Sequence, residues 1–119
     1  MIRANELLKS VLTDIENGAR NGINPGFIAK KHALSEVHLQ RLFKSKFNQP
    51  LGIYIRNHKL TESIDDLLNT KLKIVDIALD FGFEYEQSYI RAFKREFGIT
   101  PGKFRKSEYN IDKRDCIHE

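Results

Sequence analysis

Two runs in the chain carry residue types suited to reading a polyanion. Positions 41–47 read RLFKSKF and positions 91–97 read RAFKREF, so both obey Arg-x-Phe-Lys-x-x-Phe. The planar fork of Arg41 or Arg91 matches the acceptor pair on the major-groove edge of guanine. The side-chain amides of the nearby Gln40 and Gln87 match the donor–acceptor pair on adenine. Lysines beside them can neutralise backbone phosphates, which positions a protein without specifying sequence.

Other chemistries lack their residues. His32, His38, His58 and His118 show no metal-ligand spacing, and Cys116-x-His118 offers only two ligands in a polar tail. Asp65 and Asp66 are neighbours, which on a helix point about 100° apart and do not face one site. They are expected on a solvated face. Gly18, Gly22 and Gly26 match neither the phosphate-loop nor the dinucleotide spacing. No catalytic residue, metal or cofactor is expected, and an enzyme is the least supported class.

The formal net charge of +4 permits an anionic partner without requiring one. No apolar run approaches the ~20 residues of a membrane span. The first residues lack the apolar stretch of a secretion signal. Cys116 is the single cysteine, so a reducing cytoplasm is the expected compartment.

Positioning elements follow from helical periodicity. Leu7, Leu8, Val11, Leu12 and Ile15 define an amphipathic first helix that stops at Asn17-Gly18. Asn24-Pro25 is an N-cap and first-turn proline opening a short second helix, and Ser35 caps a third that runs to about Phe47. Asn48-Gln49-Pro50 ends it. A long central helix is expected over 51–69, with Tyr54, Ile55, Ile64, Leu67 and Leu68 on its apolar side. Ile74 to Phe81 form a short fifth helix ending at Gly82, a sixth runs from about Tyr85 to Phe97, and Thr100-Pro101 opens a seventh. Nothing alternates long enough to argue for a strand. The expected class is all-α, with seven helices over 1–107 and a polar tail over 108–119.

Each heptad lies in the longer helix of a short helix, tight turn, longer helix arrangement, which is the helix-turn-helix pattern. The two units span about 24–48 and 73–98, the second with one extra residue between turn and heptad. Gly82 suits a left-handed turn position. Ala33 in the matching place would cost roughly 1 kcal/mol if its φ is positive. Leu39, Leu42, Phe43 and Phe47 form the inward stripe of the first longer helix, and Tyr85, Tyr89, Phe93 and Phe97 that of the second. Outward lie Val37, Gln40, Arg41, Lys44 and Ser45, and Gln87, Ser88, Ile90, Arg91, Lys94 and Arg95. One solvent-facing helix with Arg, Lys and Gln is ordinary. Two with the same pins, turn and basic positions are explained at once by duplication of a helix-turn-helix unit.

The stretches LSEVHLQRLFKSKFNQPLGIYIRNHKL (34–60) and IVDIALDFGFEYEQSYIRAFKREFGITPGKFRK (74–106) resemble the DNA-binding domain of AraC/XylS-type transcription regulators. The short N-terminal helix resembles the MarA/SoxS/Rob-type branch. The resemblance implies two helix-turn-helix units joined by the long central helix, docking as a monomer into two successive major-groove segments of promoter DNA. It also implies activation through RNA polymerase. A central helix of some 18 residues would be roughly 27 Å long, against the about 34 Å that separates major-groove segments one turn apart. Unlike outward faces imply an asymmetric site.

The branch's base-reading positions fall on Val37, Gln40 and Arg41, and on Glu86, Gln87, Ser88, Ile90 and Arg91. Phosphate contacts are expected from Lys30, Lys31, Lys44, Arg56, Lys94 and Arg95. Three positions depart from the branch: Val37 stands for a tryptophan, Glu86 for a glutamine, and Ile90 for a small polar residue. A known operator therefore does not transfer. The alternative function is a helical protein-interaction module that keeps the fold without sequence-specific DNA reading.

Overall fold

A computed structural model describes residues 4–18 and 22–107. It contains α1 (Ala4–Gly18), α2 (Pro25–Lys31), α3 (Glu36–Phe47), α4 (Leu51–Asn69), α5 (Ile74–Asp80) and α6 (Glu86–Phe97). A seventh helix, α7, covers 101–107, and no strand occurs among the described residues. Cys116, His118 and the rest of the tail lie outside them. The chain divides into two compact units with the boundary between Lys59 and Leu60, inside α4.

In the first unit, Leu8, Val11 and Ile15 line one face of α1 and are buried. They join Ile23, Ile28, Ala29, Leu39, Phe43, Leu51 and Ile55 in one apolar cluster. Phe43 sits at its centre, 4.6 Å from the Phe47 ring and edge-on to Tyr54 at 5.2 Å. Such ring pairs add about 0.5–1.5 kcal/mol beyond the area they bury. The starts of α2 and α3 are capped by side chains. Asn24 Oδ1 accepts from the Phe27 N–H at 2.9 Å, and Ser35 Oγ accepts from the His38 N–H at 3.1 Å.

The second unit repeats the plan with other residues. Leu60, Ser63 and Leu67 are buried on α4 at the spacing of Leu8, Val11 and Ile15 on α1. Ile77, Ala78, Phe81, Tyr89, Ala92 and Phe93 are also buried. Phe93 lies 4.6 Å from Phe97 and 5.8 Å from Phe104, as Phe43 lies against Phe47 and Tyr54. The centre here is partly polar. The Tyr89 and Ser63 hydroxyls are hydrogen-bonded at 2.8 Å, and the Ser63 hydroxyl donates to the Leu60 carbonyl at 2.6 Å. Burial pushes the Tyr89 phenol above its ordinary pKa, an effect the Ser63 bond partly opposes.

Arg105 on α7 closes this unit. Its Nε donates to the Leu67 carbonyl at 2.9 Å and its Nη1 to the Leu72 carbonyl at 2.7 Å. Its Nη2 reaches the Asp66 and Thr70 carbonyls at 3.3 and 3.4 Å. The last carbonyls of a helix have no partner within it, so a five-donor fork at the C-terminus of α4 satisfies groups that α4 cannot.

Three expectations are corrected. Tyr85 is 63% exposed rather than part of the inward stripe. It is the N-cap of α6 with extended backbone (φ −129°, ψ 143°), so its side chain leaves the helical wheel. Leu68 is 47% exposed, rotated about 100° from the buried Leu67. Asp66, expected in solvent, is 4% exposed, because it lies one turn after the buried Ser63; Asp65 is exposed as expected.

Candidate nucleic-acid interface

The repeated heptads occupy one place in each unit. The turn after α2 is tied by the His32, Ala33 and Leu34 N–H groups to the Ile28, Lys30 and Ala29 carbonyls. The turn after α5 repeats these bonds with Phe81, Gly82 and Phe83 to Ile77, Leu79 and Ala78, a shift of 49 positions. The helices α3 and α6 begin at Glu36 and Glu86, a shift of 50. The extra residue therefore sits between turn and helix. Arg41 and Arg91 keep the same distance from their helix starts, and Lys44 pairs with Lys94 in the same way. Ala33 is held at φ 56° and Gly82 at φ 84°, so the left-handed turn position exists in both units.

On α3, Val37 is 62% exposed, and Arg41, Lys44 and Ser45 are exposed beside it. With the half-buried Gln40 and with Pro50 they line an open groove of about 540 Å³. Gln40 Nε2 donates to Glu36 Oε1 at 3.2 Å, which lays its amide along the helix. Bidentate reading of adenine uses both amide atoms, so contact with a base would compete with this bond. On α6, Gln87, Ser88, Arg91, Lys94 and Arg95 are exposed, and Glu86 and Ile90 are half-buried. Glu86 occupies the first helical position, as Glu36 does on α3. A carboxylate there is favoured by the positive end of the helix dipole, which supplies a folding reason for a residue that nearby phosphates would repel.

The phosphate candidates separate by environment. Lys30, Lys44, Lys94 and Arg95 are exposed, and Arg56 is half-buried on α4. Lys31 is engaged: its Nζ lies 2.6 Å from Asp14 Oδ1, while His32 Nε2 lies 2.7 Å from Asp14 Oδ2. Burial tends to raise the Asp14 carboxyl. The hydrogen bonds and charges of Lys31 and His32 outweigh it and hold the group below its ordinary value. Residues 17 and 18 positions apart make this cluster, and periodicity cannot show such a pairing.

The two units differ in charge. From α2 through α3 the cations are Lys30, Lys31, Arg41, Lys44 and Lys46, against Glu36 alone, a net of +4. From α5 through α6 the cations are Arg91, Lys94 and Arg95, against Asp76, Asp80, Glu84, Glu86 and Glu96, a net of −2. Where the first unit has Lys30 and Lys31, the second has Leu79 and Asp80, both exposed.

Residues 28–107 match a family model described as a helix-turn-helix domain, which takes in both turns and both outward faces. The activator AarP of Providencia stuartii is 34% identical over 102 residues, covering 86% of this chain and 76% of that protein. The regulatory protein SoxS of Escherichia coli K12 is 33% identical over 100 residues, covering 84% and 94%. The chain belongs to the AraC family of helix-turn-helix DNA-binding domains. That family is one of transcription factors, not of enzymes. Among solved structures, the C-terminal domain of the response regulator yesN from Fusobacterium nucleatum aligns at TM-score 0.74 with 28% identity, covering 82% of this chain and 97% of that one. The DNA-binding domain of AdpA, solved with a target DNA, aligns at TM-score 0.73 with 17% identity, covering 85% and 90%, and shares the fold. No helix among the described residues of this AraC-family chain is long and apolar enough to cross a membrane.

Proposed function

We propose that this AraC-family protein is a bacterial transcription activator that binds an asymmetric promoter site as a monomer. Its α3 and α6 read two successive major-groove segments, it acts in the cytoplasm on nucleoid DNA, and it recruits RNA polymerase. The carrying observation is the common placement of Arg41 and Arg91 on the exposed faces of two helix-turn-helix units. Val37, Gln40 and Arg41 read one block, and Glu86, Gln87, Ser88, Ile90 and Arg91 the other. Lys30, Lys44, Arg56, Lys94 and Arg95 grip phosphates, and Lys31 contributes less because Asp14 already neutralises it. The relative AarP, named an activator, supplies the direction of control.

Selection from a random duplex library, run on wild type and Arg91→Ala in parallel, tests this reading. Two unlike preferred blocks about one helical turn apart are expected. Arg91→Ala should lose one block, and Arg41→Ala the other, each at about 1–3 kcal/mol. The net acidity of the second helix-turn-helix keeps one alternative in view, a protein-interaction module with no sequence preference. That alternative gives no enrichment. Specific DNA binding should also weaken with salt at a log–log slope near −0.9 per phosphate contacted.

A further inference from the structure

Tyr85 stands at the start of a helix without the side-chain bond that a capping residue makes. It is the N-cap of α6, a position where Ser, Asp and Asn stabilise a helix by accepting from an early N–H. Its counterpart Ser35 does this for α3. Tyr85 makes no such side-chain bond. Its ring is not sheltered either, being 63% exposed. The segment joining turn to helix is one residue longer here than in the first unit, and Tyr85 stands at the end of that longer segment. Departures from the local rule of this kind concentrate at functional sites.

The surroundings indicate which function. The N-terminal end of a recognition helix is the end that approaches the groove. The segment before α6 offers Asp80 and Glu84 to a phosphate backbone, where the first unit offers Lys30. An uncharged hydroxyl can donate to phosphate without adding to the crowd of ion pairs, and tyrosine is among the side chains that do so.

We infer that the Tyr85 hydroxyl is a phosphate contact of the second unit, placed at the edge of the groove segment that α6 reads. The inference rests on the proposed docking of α6 on DNA. It assigns to an exposed aromatic residue the grip that basic residues supply in the first unit.

The test compares wild type, Tyr85→Phe, Tyr85→Ser and Arg91→Ala on two duplexes. One is the site recovered by selection and the other an unrelated duplex of equal length. Tyr85→Phe should bind both about ten-fold more weakly, the loss of one hydrogen bond to a charged acceptor. Melting, preferred sequence and salt slope should not change, since no counterion-releasing charge is removed. Tyr85→Ser should lose the same binding and yet melt several degrees higher, because serine restores the cap. Opposite signs for stability and affinity are the signature of the contact. Tyr85→Phe binding within two-fold of wild type, while Arg91→Ala still loses its block, would overturn the inference alone. A loss confined to the selected duplex would overturn it in favour of a base contact. If Arg91→Ala has no effect either, the docking of α6 falls and the Tyr85 contact falls with it.

Discussion

The turn between α2 and α3 passes through Ala33 at φ 56°, whereas the turn between α5 and α6 passes through Gly82 at φ 84°. The same contrast holds at the ends of the longer helices, which stop in left-handed Asn48 and left-handed Gly98. A non-glycine residue in that region costs roughly 1–2 kcal/mol, less for asparagine. The first unit offsets this with the Asn24 and Ser35 caps, each of which contributes about 1 kcal/mol. The second has glycines and neither cap. It is held instead by the buried Ser63–Tyr89 pair and by Arg105 on the end of α4. One backbone plan is thus reached by two sets of means. What repeats is the placement of Phe43 and Phe93 and the bonding of the turn. The devices that stabilise them do not repeat.

The largest effect should come where the units agree. Phe43→Ala and Phe93→Ala should each cost about 3–5 kcal/mol, since each removes a ring from the centre of its core. Denaturant titration gives the size, and amide hydrogen exchange shows which unit opens. Equal losses confined to the mutated unit would support the duplication, and global loss from one variant only would break it.

Smaller effects should come where the units differ. Arg105→Ala should cost about 2–3 kcal/mol, as hydrogen bonds from a charged donor are lost. Protection should fall at the C-terminal end of α4 and not in α1 to α3. Arg105→Lys should recover little, because an ammonium cannot span the carbonyls that the fork spans. Asp14→Asn should cost about 1–2 kcal/mol at neutral pH through its part-buried ion pairs. The Asp14 carboxyl is lowered in the folded protein, so its stabilisation is present above the unfolded value and disappears as pH falls through the folded one. Acid titration below about pH 4 should weaken wild type more steeply than Asp14→Asn. The smallest changes should have opposite signs at matched positions. Ala33→Gly should stabilise by about 0.5–1 kcal/mol, and Gly82→Ala should destabilise by about 1 kcal/mol or more. Matching signs in thermal melts would mean that the two turns are not equivalent.

Helix starts and stops were legible because they are local. Asn24-Pro25, Ser35, Gly82 and Gly98 act on residues within one turn of themselves, so their types announce their roles. The outward faces of α3 and α6 were legible for a similar reason, being set by the angular step along one helix. Three features were not legible, each for a physical reason. The Asp14 cluster joins residues that are distant in sequence. Arg105 bonds to carbonyls 33 to 39 positions earlier, and carbonyls carry no residue signature. The Tyr85 side chain escapes the wheel because a cap residue has non-helical backbone. Asp66 and Leu68 could have been anticipated from spacing, since Asp66 follows Ser63 at one turn on the inward side of α4 and Leu68 lies about 100° round from Leu67.

The placement of the extra residue has a consequence for redesign. Because it lies outside α6, every outward position on α3 has an address on α6 that is 50 higher. Val37, Gln40 and Arg41 correspond to Gln87, Ile90 and Arg91, with the arginine already shared. On the proposed reading of DNA, a specificity is therefore a short text that can be copied from one unit to the other without moving a core residue. On that reading, Gln87→Val with Ile90→Gln should move the preferred block of the second unit toward that of the first, leaving Ser88 against His38 as the remaining difference.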